Sequence, residues 1–253
     1  MLSVWWLWMF VAVVGAPPMR IVINIPAFRL DVYVSDSIIR TMPIAPGMSR
    51  YKTPRASFAI TSVQWNPWWI PPKSPWAAKE KPTPPGPGNP MGRVKLNFQP
   101  LYFLHGTPFR HSIGTAASHG CIRLKNEDAI ELARLTLRFG MRTLTSDDIG
   151  ALSADTLSTR TIELEEPVPI EIRYDLVEVR NGRVSVYRDV YHLSSRSLRA
   201  DVYAALAASG LDTTAIDSER VRALVRRVQP AGNSIELDSI RRRAPTEPLY
   251  ARP

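Results

Sequence analysis

The residues best suited to chemistry lie in one stretch of twenty, from His105 to Leu124. It holds the only cysteine, Cys121, three of the four histidines (His105, His111 and His119), the glycines Gly106, Gly114 and Gly120, and a cation at Arg123. A free thiol with a pKa of about 8.5 is only a few per cent thiolate near neutrality, and an imidazole within hydrogen-bond reach can take its proton. A cysteine paired with a histidine base is the constellation of covalent acyl transfer. His119 and Cys121 are two residues apart and share a side if the backbone is extended, whereas His105 closes a separate strand-like run, Tyr102-Phe103-Leu104. Spacing alone leaves the base open between these two; His111 follows the loop-like Pro108-Phe109-Arg110 and is the weaker candidate. Gly120, directly before the nucleophile, permits close backbone approach or a positive φ. The N–H groups of Gly120 and Cys121 can receive an oxyanion, and Arg123 offers a planar donor fork to a carboxylate.

A zinc site is the rival use of the same residue types, with Cys121, His119 and His105 as ligands. Structural zinc sites usually show two local ligand pairs, and one cysteine does not supply them, so no metal is expected. No phosphate-binding glycine loop, dinucleotide fingerprint or His-Glu-x-x-His is present. With one cysteine there is no intrachain disulfide. The 253 residues carry 32 Lys+Arg against 23 Asp+Glu, a net charge of +9, which suits an anionic partner. No zinc-finger spacing, helix-turn-helix or aromatic-basic RNA signature accompanies that charge, so nucleic acid is not the expected partner.

The elements around the stretch read mostly as strands. Arg20–Ile25, Arg29–Val34 and Ile38–Met42 are β-rich runs between polar turns, with Pro46-Gly47 supplying the next turn and Ser57–Val63 a further strand. From Gln64 to Pro90, Trp65, Trp68, Trp69 and Trp76 lie among prolines and lysines. Disordered segments are poor in aromatics, so the expectation is an ordered loop whose rings pack on the sheet or line a cleft. Arg93–Phe98 alternates like a strand. The clearest helix follows Leu124, with Asn126 as cap, Glu127 and Asp128 at its positive end, an apolar stripe Ile130-Ala133-Leu137 broadened by Ala129 and Leu132, and Gly140 as its stop. Further strands are Thr161–Leu164, Val168–Tyr174 after Pro167, and a hairpin of 176–180 with 183–188 around Asn181-Gly182, the favoured type I′ turn. Ser197–Ala208 and Ser218–Val228 read as helices, and Arg241-Arg242-Arg243 opens a basic tail. Residues 1–18 form a short apolar segment ending in small residues, expected to be an export signal or anchor with possible membrane contact, although no basic residue precedes it.

His105-Gly106-Thr107 followed by Ser118-His119-Gly120-Cys121-Ile122-Arg123-Leu124 resembles the active-site signature of the L,D-transpeptidases, the YkuD-type catalytic domain. Asn24-Ile25-Pro26 with Arg29-Leu30, and Asn66-Pro67-Trp68, resemble further family segments. Gly86-Pro87-Gly88-Asn89-Pro90-Met91-Gly92 and Asp189-Val190-Tyr191 resemble those of its larger periplasmic branch. The resemblance covers roughly residues 20–192. It implies a mainly β fold, a YkuD-like β-sandwich with a helix packed beside the cysteine loop, to which C-terminal helices are added. Residues 19–192 are then the catalytic domain and 193–253 a helical extension with a basic tail. It also resolves the choice of base: His105 would activate Cys121, the Gly106 carbonyl would orient its ring, and His119 would support cysteine geometry. Arg123, Ser118, Gly120, Trp68 and Tyr102 are the implied substrate-binding residues. The implied reaction releases D-Ala from a peptidoglycan tetrapeptide stem and forms a 3→3 crosslink, in the periplasm or cell envelope, with no cofactor. Alternatives are L,D-carboxypeptidase activity, attachment of a wall-anchored lipoprotein, or a non-catalytic wall-binding protein.

Overall fold

The computed structural model describes residues 18–241. The apolar segment before them, and Arg242 and Arg243 of the basic tail, lie outside the described residues. In chain order the strands are β1 (Met19–Asn24), β2 (Arg29–Val34), β3 (Ser37–Pro43), β4 (Ser57–Trp65), β5 (Val94–Gln99), β6 (Tyr102–Thr107) and β7 (Ile122–Lys125). Helices α1 (Asn126–Gly140) and α2 (Ser146–Ala154) follow, then β8 (Arg160–Arg173), β9 (Val177–Arg180) and β10 (Arg183–Val186). The described residues close with α3 (Leu198–Ala208), α4 (Ser218–Arg226), β11 (Asn233–Glu236) and the short α5 (Leu237–Ile240).

Eight strands form one sheet in the order β3-β2-β1-β8-β4-β5-β6-β7. Neighbours are antiparallel except β1 with β8 and β6 with β7. The chain leaving β3 then bridges from Ala45 to Arg123 and from Gly47 to Ser118, which brings the two sheet edges together into a near-barrel. This is the mainly β, YkuD-like architecture expected from the sequence. α1 packs on β5, β6 and β8. Its buried face is Ala129, Leu132, Ala133, Thr136, Leu137 and Gly140, at helical offsets of three and four. It meets the fully buried Ile60, Val63, Trp65, Leu96, Leu104, Ile122 and Leu124 in one core.

Several local readings need correction. Asn126 does not cap α1: Lys125 holds the cap position without a side-chain bond, and the Asn126 Oδ1 accepts from the Arg93 N–H at 3.1 Å. Gly140 is the last helical residue, and its smallness serves packing, because a Cβ there would lie 2.9 Å from the Glu166 carbonyl oxygen. The two strands expected around Pro167 are one, β8. Its pairing with β4 jumps from Val168 opposite Ile60 to Glu163 opposite Ser62, and pairing with β1 begins only at Ile170. Pro167 thus sits in a bulge where no ladder hydrogen bond is asked of it. α2 was not anticipated, although Thr145 and Asp148 close a capping box at its start.

β9, β10 and β11 form a second, three-stranded sheet. With α3, α4 and α5 they enclose their own core of Val184, Val186, Val202, Leu206, Ile216, Val221, Leu224 and Ile240. β9 and β10 fall within the 19–192 span read as catalytic, yet they pack with the C-terminal helices, while Tyr191 beyond them returns to the first core. The Asn181-Gly182 turn has both residues at positive φ, 52° and 70°, as a type I′ hairpin needs.

Ionic contacts join the two cores. Glu178 takes both its oxygens to the Arg29 Nη2 at 2.8 Å and accepts from the Asn24 Nδ2 at 2.8 Å and the Tyr187 hydroxyl at 2.9 Å. Asp31, 4% exposed at its side chain, pairs with Arg29 at 2.9 Å and Arg180 at 2.7 Å. Burial alone would raise the Asp31 pKa. Hydrogen bonds from Thr41, Arg29 and Arg180 outweigh it and hold the carboxyl below its ordinary value. A depressed folded-state pKa contributes stability above the unfolded carboxylate value, lost as pH falls through the folded value. Asp31→Asn is therefore expected to cost about 3 kcal/mol at pH 7, with the gap from wild type closing below about pH 4. Urea unfolding at both pH values checks this.

Candidate active site

The three adjacent strands β5, β6 and β7 set the site by their register. Lys95 lies opposite His105, and His105 opposite Arg123, so these side chains form a row on one face of the sheet. Leu104 pairs with Ile122, which puts Cys121 beside Phe103, one step along that face from the row. Parallel pairing of two strand ends thus puts the cysteine and the histidine of the sequence motif on one face of the sheet. The half-buried Cys121 directs its thiol to the Leu101 carbonyl oxygen at 3.5 Å rather than to the imidazole.

His105 is 4% exposed. Its Nδ1 lies 2.7 Å from the Gly106 carbonyl oxygen. A carbonyl only accepts, so Nδ1 carries the proton and Nε2 keeps its lone pair. Burial pulls the imidazole pKa down to about 4, and the charges of Arg123 and Lys95 act in the same direction against weaker opposing bonds to the Gly106 and Met91 backbone. His105 is therefore neutral at physiological pH. The Gly106 backbone is seated by packing: a Cβ at Gly106 would lie 2.2 Å from the Asn126 Oδ1, and one at Gly92 would lie 2.5 Å from the Gly106 carbonyl carbon. Asn126, expected as a helix cap, instead sits behind the carbonyl that orients the ring.

The cysteine loop is gripped from its other side by the segment leaving β3. Ala45 and Arg123 exchange two backbone hydrogen bonds of 2.9 Å, Ser118 donates its N–H to the Pro46 carbonyl at 3.1 Å, and Met48 donates to the Ser118 carbonyl at 2.9 Å. Ser118, which is buried, accepts from the Gly120 N–H at 3.0 Å and donates its hydroxyl to the Cys121 carbonyl. The Thr53 hydroxyl donates to the Gly120 carbonyl at 2.9 Å, accepts from the Gly47 N–H at 2.9 Å, and has its own N–H bound to the Tyr191 hydroxyl at 3.2 Å. Gly120 has φ +114°, and a Cβ would lie 2.8 Å from the Tyr102 Cε1. The loop is thus not extended, and His119 does not share a side with Cys121 by strand geometry. Because the Gly120 N–H is committed to Ser118, it is not a free oxyanion donor. Among the described residues the Cys121 N–H carries no turn or loop hydrogen bond.

Burial raises the Cys121 pKa above its ordinary value, partly offset by a hydrogen bond from the Phe103 backbone and by Arg123 and Lys95. Burial likewise lowers Lys95 and Arg123. His119 stacks on Trp76, ring centroids 3.9 Å apart and planes 9° off parallel, with Tyr51 at 4.7 Å on a tilted approach. Burial, Arg123 and Arg50 lower its pKa. The tryptophan that reaches the cysteine loop is therefore Trp76. Trp68 is 49% exposed and makes no ring contact with these groups. The Trp loop is ordered as expected, around the buried Asn89, whose Nδ2 donates to the carbonyls of Pro67, Thr83 and Pro84. Sequence reasoning missed Lys95, the Thr53–Tyr191 brace and the Trp76–His119 stack. Only Lys95 left a usable signal, since the alternation of 93–98 sets it on a face with Asn97. Among the described residues no group of three or more His, Cys, Asp or Glu is placed to hold a metal ion, and no helix is long and apolar enough to cross a membrane.

Similarity to known proteins agrees with this geometry. The chain is 34% identical over 119 residues to YkuD of Bacillus licheniformis, a candidate L,D-transpeptidase, covering 47% of this chain and 60% of that protein. It is 33% identical over 157 residues to ErfK/SrfK of Salmonella typhimurium, named likewise, covering 58% and 50%. The match thus spans between half and three-fifths of these curated relatives. A solved L,D-transpeptidase from Mycobacterium smegmatis aligns over 61% of this chain and 58% of its own at 18% identity and TM-score 0.40, too loosely to carry an argument. The model of the YkuD L,D-transpeptidase catalytic domain matches residues 18–170, and the chain belongs to that family.

Proposed function

We propose that this protein is a cysteine-dependent L,D-transpeptidase of the cell envelope, acting on peptidoglycan tetrapeptide stems. The observation that carries the reading is the β6–β7 register, which supports it by giving His105, its Nδ1 against the Gly106 carbonyl, and Cys121 the same sheet face. In this mechanism the sulfur attacks the carbonyl carbon of the stem's third residue while His105 Nε2 takes the thiol proton. The Cys121 N–H receives the developing oxyanion. Collapse breaks the bond to terminal D-Ala, whose nitrogen takes the proton back from His105, and a thioester remains. An acceptor amine from a neighbouring stem attacks the thioester, loses a proton to His105, and expels the thiol as a 3→3 crosslink forms. Water in place of the amine gives carboxypeptidase activity, and a lipoprotein lysine gives anchoring.

The electrostatics fix the timing. With His105 titrating at about 4 and the thiol pushed up by burial, a standing thiolate–imidazolium pair is disfavoured. Proton transfer then accompanies attack. Arg123, which has no carboxylate partner among the described residues, is suited to the stem's terminal carboxylate. Ser118 and His119 act as supports, the first by tying the loop and the second by stacking under Trp76. Tyr102 shapes the floor under Gly120. Tyr191, in the Asp189–Tyr191 segment, is hydrogen-bonded by Thr53, which in turn holds Gly120.

Incubation with a stem dimer followed by mass spectrometry is expected to give free D-Ala and an acyl adduct on Cys121. Cys121→Ala is expected to remove both while leaving the urea midpoint within error, and turnover surviving in that variant would refute the nucleophile. His105→Asn should lower the acylation rate about 10²–10⁴-fold. Because the base works only when unprotonated, the wild-type acidic limb of kcat/KM should fall near pH 4, well below the ordinary imidazole value. Gly120→Ala introduces both the φ strain and the Tyr102 clash, and should reduce kcat/KM at least about tenfold. Adding Tyr102→Ala should recover only part of that loss, since the strain at φ +114° remains.

A further inference from the structure

Lys95 is the third member of the row Lys95–His105–Arg123, held opposite His105 by the β5–β6 register. Its ammonium lies 4.5 Å from the Phe103 ring centroid, and Phe103 is the residue beside Cys121. Both Lys95 and Arg123 are half-buried. Among the described residues neither has a carboxylate within the 4.0 Å of an ion pair. Among the described residues, the ionised form of Cys121 is the one charge that would act appreciably on either cation. The other titratable groups around the thiol are His105 and Tyr102 on β6 and, across the loop, His119 with Tyr51 against its ring and Arg50 behind it, none of them a carboxylate. A half-buried cation without a counterion is costly unless an anion forms nearby, and the sulfur on this face is the group that can supply one.

We propose that Lys95, together with Arg123, frames the His105–Cys121 pair as a second cation, stabilising the negative charge that develops on the sulfur and disfavouring an imidazolium at His105. This rests on Cys121 as the nucleophile. Lys95 acts through that thiol, as a positioning charge, without touching the scissile bond. Arg123 meets the substrate carboxylate, and Lys95, stacked on Phe103 at the far end of the row, keeps a positive potential on the sulfur when Arg123 is occupied. Removing Lys95 would raise both the thiol and the imidazole pKa, since a positive charge favours the deprotonated form of each.

The single cysteine makes the test direct, because iodoacetamide can alkylate only Cys121 among thiols. Alkylation rates of the full chain are measured from pH 5 to 11 for wild type, Lys95→Met and Lys95→Arg, with Lys95→Gln replacing Met if circular dichroism shows the Met variant unfolded. The neutral variant is expected to shift the profile about one pH unit upward, with a rate at pH 7 about tenfold lower and the same alkaline plateau. Lys95→Arg should follow wild type within about twofold. A neutral variant whose profile superimposes on wild type overturns the proposal, as does Lys95→Arg shifting as far as Met. Alkylation reads the thiol whether or not the protein turns over. A failure of the transpeptidase reading, seen as no D-Ala release and no acyl adduct when wild type meets the stem dimer, is therefore separate from a failure of the Lys95 assignment.

Discussion

The site depends on one constraint, the trapping of the cysteine segment between two partners. On one side β7 runs parallel to β6 and brings Cys121 and Arg123 onto the face that carries His105. On the other, the chain leaving β3 exchanges hydrogen bonds with Arg123 and Ser118, so the segment cannot slide without breaking a ladder on each side. A slip of one residue in a strand inverts its faces, and here it would turn the thiol away from the imidazole. The sheet closes on itself at the same place, so the closure that completes the fold also assembles the chemistry. Glycines make that closure possible: Gly47 and Gly120 approach one another where a Cβ at Gly47 would lie 3.0 Å from the Gly120 Cα.

In the proposed mechanism, burial and charge divide the work between His105 and Cys121. Burial favours the neutral form of both, keeping His105 a base and Cys121 a thiol at rest. The cations on either side of the imidazole oppose burial at the sulfur and reinforce it at the ring. No carboxylate orients the base; a backbone carbonyl does, and that carbonyl is fixed by the packing of Gly92, Gly106 and Asn126. A carbonyl sets the tautomer without adding the negative charge that would favour an imidazolium. The arrangement suits concerted proton transfer during attack.

Much of this was legible in the sequence because it is local. The Ser118–Leu124 and His105–Thr107 motifs, the strand alternation and the apolar stripe of α1 all report neighbours within a few residues. What could not be read was the pairing. His105 and His119 are equal candidates by spacing; the family resemblance favours His105, and the φ of +114° at Gly120 removes the extended-chain argument for His119. Asn126 reads as a cap because caps are local, but its bond runs to Arg93. Pro167 reads as a strand end, yet a bulge against β4 carries it through β8. Trp76 was one of four equivalent tryptophans until the loop was folded around Asn89, and Trp68, singled out by motif, is turned outward.

The central claim is that a neutral, Nδ1-protonated His105 stands ready beside a protonated thiol, and its protonation state is the property to measure. With histidine ¹⁵N-labelled, NMR titration of the His105 ring, assigned by its loss in His105→Asn, reads both tautomer and pKa. The account predicts the Nδ1–H neutral form throughout the physiological range, with protonation only as pH approaches about 4. A ring found as imidazolium at pH 7, or as the Nε2–H tautomer, would contradict it.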